Sequence, residues 1–467
     1  MKKSLFVLLL PFTLTTYAQH WQDTVKNIET IFARYKAANP GGELAISRNG
    51  HIIFSKAWGM ADLEHHAHIT TTTIIEAGSV SKQFTAAAIL LLEQQGQLSL
   101  DDDVAKYIPE LPEYGQAIPL KYLMHHSSGI RDWGAVAAIA GQPRTTRTYT
   151  NADALDIIAR QQALNFTPND EFSYSNSGFN LLTIIVERVS GMSLAAFTKK
   201  YIFLPAGMTH TSWRDDHKRV VPDRAMAYAL TDNVYESNMP NEDVYGHGGL
   251  LTTAEDLLKW NSWYQTGHFG SPSLLPKMLA MDTLNNGQPN EYGAGLFLSK
   301  KHGLDYIAHD GATASYRARL SSYPALHLSI AWLSNTSAFD TSANAAVLVE
   351  NLFFPRQPTT ATAKTPYHPD SLWYPTLAEL RSYVGIYHSE EAQGSFTVQL
   401  KGSQLFLYRS PQTLIPLIPA KKHQFITIGQ GFSGEPGEVH FVPEKDGTFN
   451  RMLISISRAN NVSFNRL

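Results

Sequence analysis

Residues 76–112 read EAGSVSKQFTAAAILLLEQQGQLSLDDDVAKYIPELP. The run of Ala and Leu predicts a largely buried helix over 79–95, with Gly96 as its stop. At its start stands Ser79-Val80-Ser81-Lys82, an S-x-x-K tetrapeptide preceded by Gly78. On a helix, residues i and i+3 share a face, so the Lys82 amine can lie over the Ser79 hydroxyl. The helix N-terminus offers free N–H groups and a positive dipole end, both favourable to an oxyanion. A serine hydroxyl is a poor nucleophile until a neighbouring base takes its proton. A buried lysine with a lowered pKa is such a base. The tetrapeptide alone fits a plainer account equally well, with Ser79 as a helix cap and Lys82 solvated in the first turn.

Two further fragments carry chemistry. Tyr174-Ser175-Asn176 is Y-x-N, on a loop that runs into a helix candidate at 176–190. A phenol near an ammonium ionises more readily and serves as general base or acid. Asn176 offers both a donor and an acceptor to a substrate carbonyl or amide. Tyr149-Thr150-Asn151 repeats the pattern, and an Asn cap beside a packed Tyr is the commoner role for such a pair. His309-Asp310-Gly311 precedes a strand-like stretch, where Gly311 permits close backbone approach. Alone it reads as a surface turn.

Together, these fragments and their surroundings resemble the serine β-lactamase and penicillin-binding protein superfamily, especially its class C β-lactamase-like and D-stereospecific esterase or aminopeptidase branch. LKYLMHHSSGIRDW (120–133), FSYSNSGFNLLTIIVERVSGMSL (172–194), HGGLLTTAEDLLKW (247–260) and YGAGLFLSKKHGLDYIAHDGATASY (292–316) are similar to segments shared in that family, in one order. The resemblance implies an α+β fold: an antiparallel sheet flanked by helices plus an all-helical lobe, with the site between them. It implies Ser79 as acylated nucleophile, Lys82 as its activating lysine, Tyr174 as second base or acid, and Asn176 as substrate-orienting side chain. His309 and Gly311 occupy the third motif, and the backbone N–H groups of Ser79 and Ala312 form the oxyanion hole. One departure matters. The family usually carries Lys-Thr-Gly at the third motif, where the cation helps receive a substrate carboxylate. A neutral imidazole is a poorer anion receptor. That favours esters or D-amino-acid amides over β-lactams and D-Ala-D-Ala. The other reading is a non-catalytic or slow-turnover binder of cell-wall peptides or β-lactams.

Composition narrows the field. The 467 residues are 43% apolar and 17% charged, with a formal net charge of −3 and no cysteine. Such a chain is neither disordered nor fibrous. Lys plus Arg is 38 against 41 Asp plus Glu, so no basic excess points to nucleic acid. Without cysteine there is no disulfide, thiol nucleophile, Cys-ligated zinc, iron–sulfur cluster or lipidated N-terminal Cys. No G-x-S-x-G marks an α/β-hydrolase elbow. His65, His66 and His68 lack partners at metal-ligand spacing and read as a solvated loop. His125 and His126 read as structural, His126 near the site. The chemistry calls for neither a metal nor a cofactor, and its partner is a small-molecule or peptide substrate.

Outward from the motifs, the chain divides into four parts. Lys2 and Lys3, the apolar run Leu5–Leu10 and the Thr16-Tyr17-Ala18 site read as a signal peptide over 1–18. The stretch is too short to span a bilayer, so the expectation is a periplasmic or secreted protein with no stable membrane anchor after cleavage. Residues 19–354 form the hydrolase unit. They open with a helix at 21–36 on the stripe Trp21, Val25, Ile28, Phe32 and Tyr35, then a hairpin turning at Asn49-Gly50. Further helices are predicted at 151–163 and 253–265 and a buried strand at 326–335. Residues 355–375 are dense in Pro and Thr and read as a linker. Residues 376–467 show short alternating strands, with candidates at 423–428, 438–442 and 449–457, and read as a small antiparallel β-barrel-like domain.

Overall fold

The computed structural model describes residues 11–340, 344–355, 373–410, 413–427, 431–432 and 434–467. Most of the stretch read as a linker, and the start of the stretch read as a signal, lie outside the described residues. A single helix, α1 (Pro11–Ile31), crosses the expected cleavage point and ends earlier than the stripe predicts. Ile28, Phe32 and Tyr35 of that stripe are nonetheless buried. Among the described residues no single helix is long and apolar enough to cross a membrane.

The central sheet is built from six antiparallel strands. They are β1 (Gly42–Arg48), β2 (His51–Trp58), β3 (Phe297–Lys301), β4 (Leu304–Thr313), β5 (Tyr316–Tyr323) and β6 (Leu328–Ser334), in the order β3-β4-β5-β6-β1-β2. The β1–β2 turn is the one predicted: Asn49 and Gly50 sit at φ 52° and 76°, the left-handed pair that a two-residue hairpin needs. Alternation decides which face is which. Leu44 and Ile46 join Ile28, Phe32 and Trp332 in a cluster under α1. Ala45 faces the other core, against α6 (Ala254–Gln265).

The helical lobe surrounds α2 (Lys82–Gln94), in which every residue from Lys82 to Leu92 is buried. A helix apolar on all sides belongs in the middle of a lobe. Around it stand α3 (Trp133–Ala140), α4 (Asn151–Ala159) and α5 (Asn176–Ser190). Thr150 closes a capping box with Asp153 at the start of α4, and Thr253 caps α6 by accepting from the Asp256 amide. The Tyr149-Thr150-Asn151 decoy is therefore structural, and its helix stops four residues short of the prediction.

The C-terminal unit is a closed antiparallel barrel of eight strands. In order they are β7 (Gly385–Ser389), β8 (Gly394–Lys401), β9 (Gln404–Ser410), β10 (Thr413–Lys421), β11 (Gln424–Ile426), β12 (Glu438–Val442), β13 (Arg451–Ile456) and β14 (Ala459–Arg466). Pairing of Tyr387 with Arg466 closes the ring. Aromatic rings fill its inside: Phe396, Phe425, Phe441 and Phe464 are buried, with Tyr383 stacked on Phe441 at 4.5 Å. The barrel docks on the helical lobe through α3, where Gly394 lies so near Ala140 that a Cβ would come within 3.2 Å of its Cα.

Candidate active site

The S-x-x-K residues do not start the helix as simple periodicity suggests. Gly78 takes φ +50° and Gly78–Ser81 form a 3₁₀ turn, after which α2 begins at Lys82. Ser81 holds the turn: its hydroxyl donates to Gly78 O at 2.5 Å and accepts from the Leu250 amide at 3.0 Å. The turn presses on β4 backbone to backbone. A Cβ on Gly78 would sit 2.6 Å from Ala312 N, and one on Gly311 would sit 2.0 Å from Ala77 O. Only glycine fits both positions, and the Ala312 amide is thereby brought beside the Ser79 turn. The His-Asp-Gly motif lies inside β4 rather than ahead of a strand. Pairing with β3 stops at Ala308, which leaves the edge from His309 onward free for the turn.

Lys82 is fully buried and within hydrogen-bond range of three oxygens: Ser79 Oγ at 3.2 Å, Asn176 Oδ1 at 2.9 Å and His247 O at 2.7 Å. Burial, then the Arg458 charge, holds its amine well below the usual lysine range, against the smaller pull of Asp132. A neutral amine has two N–H bonds and one lone pair. Asn176 Oδ1 and the His247 carbonyl can only accept, so the two N–H bonds go to them. In that form the lone pair faces Ser79 and accepts its O–H, whereas the charged amine donates to Ser79 Oγ at 3.2 Å. Asn176 is fixed in turn at the head of α5, where its amide donates to Asp132 Oδ2 at 2.7 Å.

Tyr174 completes the group. Its hydroxyl lies beside the Ser79 side chain, and its ring lies 4.7 Å from Lys82 Nζ. The expectation of a readily ionised phenol is reversed. Burial pushes the hydroxyl well above the usual phenol range, outweighing the opposing pull of Ser79 and Arg458. Tyr174 rests as a neutral phenol and is suited to give a proton. His126 packs on it at 4.2 Å between ring centroids, near the site as anticipated.

His309 is tied at both nitrogens. Nδ1 lies 2.6 Å from Asp310 O and Nε2 lies 2.8 Å from Tyr292 Oη. A carbonyl only accepts, so Nδ1 carries the proton and Nε2 accepts from Tyr292. Burial, then Lys82, brings its pKa down to about 3, so the ring is neutral. The Asp310 carboxylate turns away to pair with Arg319.

These residues line a cleft of about 360 Å³. Ser79, Tyr174, Asn176, His309, Gly311 and Ala312 all border it, and Lys82 lies beneath. Sequence reasoning missed further walls, among them Arg144, His247, Arg317 and Arg458. His247 was within reach, since HGGLLTT stood among the similar segments. Arg458 carried no signal, because it comes from the barrel. His65, His66 and His68 are exposed, and among the described residues they join no group of metal-ligating side chains.

A family model described as Beta-lactamase matches residues 26–351. The chain belongs to the beta-lactamase family. It is a serine hydrolase of that family's fold. Penicillin-binding protein 4* of Bacillus subtilis (strain 168) is 27% identical over 459 residues, 91% of this chain and 98% of that protein. A D-aminopeptidase of Gluconobacter oxydans (strain 621H) is 28% identical over 324 residues, 69% of this chain and 61% of the aminopeptidase. The octameric penicillin-binding protein homologue from Pyrococcus abyssi shares the fold with a TM-score of 0.62 at 22% identity, over 95% of this chain and 99% of that one.

Proposed function

We propose that the protein is an exported hydrolase that works through an acyl-enzyme on Ser79, with small esters, D-amino-acid peptides or β-lactams as its substrate range. The observation that carries this reading is the buried Lys82 amine 3.2 Å from the Ser79 hydroxyl, its pKa lowered by burial. Ser79 Oγ attacks the substrate carbonyl as Lys82 takes its proton. The oxyanion sits between the backbone N–H groups of Ser79 and Ala312. The bond to the leaving group breaks, and that group leaves with a proton from Tyr174. Lys82 then returns the proton to Tyr174. Water hydrolyses the ester on Ser79 and frees the acid. The names of the relatives, penicillin-binding protein and D-aminopeptidase, agree with this substrate range. The N-terminal lysines, apolar run and small residues before Gln19 support export.

The experiment pairs Ser79→Ala with a fluorophosphonate or a labelled penicillin. The wild type should label and turn over a nitrophenyl ester, and the variant should do neither. A Ser79→Ala protein that still labels and hydrolyses would sink the assignment. Nitrocefin, the ester and a D-alanyl peptide assayed side by side define the substrate, and stable labelling without turnover of any of them supports the binder instead.

A further inference from the structure

The cleft holds three arginines and one acid, and their pairings differ. Asp310 is held by Arg319, and Arg144 by Glu242 through Nε at 2.7 Å. Arg317 donates to the carbonyls of Ala314 and Tyr316 at 2.9 and 2.7 Å. Arg458 stands apart. It sits half-buried on the turn between β13 and β14, and its guanidinium carbon lies 5.0 Å from the centre of the Tyr174 ring. Among the described residues no carboxylate pairs with it.

The turn itself is firmly seated. Arg458 O accepts from the Asp132 amide at 3.0 Å and from Asn165 Nδ2 at 3.2 Å. Asn460 N donates to Asn165 Oδ1 at 2.8 Å, and the buried Arg131 donates to the carbonyls of Asn460 and Asn461. A half-desolvated guanidinium on a firmly seated turn, with no carboxylate paired to it among the described residues, is a receptor for an anion. His309, engaged at both nitrogens, supplies no such charge. A free amine close to the reacting carbonyl would meet these cations, while the nearby Asp132 carboxylate is engaged by the Asn176 and Ala135 backbone amides.

We propose that Arg458, delivered by the C-terminal barrel, receives a free carboxylate of the substrate, which makes the enzyme selective for acylated amino acids or peptides bearing that carboxylate beside the scissile bond rather than for substrates with a free α-amine. This rests on the acyl-serine reading of the site.

The test compares N-acetyl-D-alanyl-D-alanine with its C-terminal carboxamide, and D-alanyl nitroanilide with its N-acetyl form. Arg458→Ala should raise KM for the free acid about 10- to 100-fold and change KM for the carboxamide less than twofold, while any change in kcat through Lys82 should be common to both. Arg458→Lys should restore part of the loss. Equal effects on acid and carboxamide, or faster turnover of the free-amine anilide than of its acetylated form, would overturn the proposal. Calorimetry on Ser79→Ala reads the same preference without turnover: the acid should bind about tenfold or more tighter than the carboxamide, and the gap should vanish in Ser79→Ala/Arg458→Ala. A wild type that neither labels nor hydrolyses defeats the acyl-serine reading alone, and the calorimetric gap still decides Arg458.

Discussion

Lys82 shows how far a single side chain reports on the mechanism. The proposed base form is the neutral amine, which its lowered pKa favours. As pH falls through that pKa the amine gains a proton, its lone pair is lost and kcat/KM should drop by tenfold per unit. Above it the profile should level off. A pH–rate profile with an activated ester checks this, and a profile already flat from the most acid pH would argue against Lys82 as base. Lys82→Arg stays charged throughout and should lose about 10²- to 10⁴-fold in kcat. The residues that the sequence made legible are those coupled by local spacing. Ser79 and Lys82 lie one turn apart, and Tyr174 and Asn176 two residues apart. His247, Tyr292 and Arg458 reach the same site from distant segments, so no spacing announces them.

Elements were most legible where a local rule fixes the backbone. Asn49-Gly50 dictates its turn, and the apolar stripe of α5 gives its two ends, with Gly191 in the left-handed region as its stop. The Ser79 segment was harder. Its Ala- and Leu-rich run predicts an unbroken helix from 79, but tertiary contact with β4 overrides propensity there, and Gly78 lets the chain kink into a 3₁₀ turn. The same contact sets the next expectation. Gly311→Val puts side-chain carbon against Ala77 O and forces β4 from the turn. It should cost ~1–3 kcal/mol, seen as a lowered melting temperature. It should also reduce kcat about 10²- to 10³-fold, the scale of losing one oxyanion donor. Unchanged kcat with a lowered melting temperature would detach the strand from catalysis.

At the scale of the whole molecule, two units share one site. Their seam contains a buried ion pair, Arg131 with Glu391 at 3.1 Å, and Glu391 also accepts from the Gln162 amide at 2.8 Å. Removing one partner of such a pair strands a buried charge and typically costs ~3–5 kcal/mol. Glu391→Ala should therefore split the calorimetric unfolding of the protein into two transitions, with the barrel leaving first. A single transition at the wild-type temperature would show the seam to be unimportant. None of this was legible beforehand: the barrel announced itself by its alternating strands, but alternation says which side faces inward and nothing about where the barrel docks. Asp132 stands at the centre of that docking. Its amide holds the barrel turn through Arg458 O, while its carboxylate holds the Asn176 amide at the head of α5. Docking and ligand capture are consequently linked equilibria. Whatever free energy a seated barrel adds to ligand affinity, a bound ligand returns in full to the seating of the barrel, so substrate acts as a fastener between two units joined in sequence by a Pro- and Thr-rich stretch.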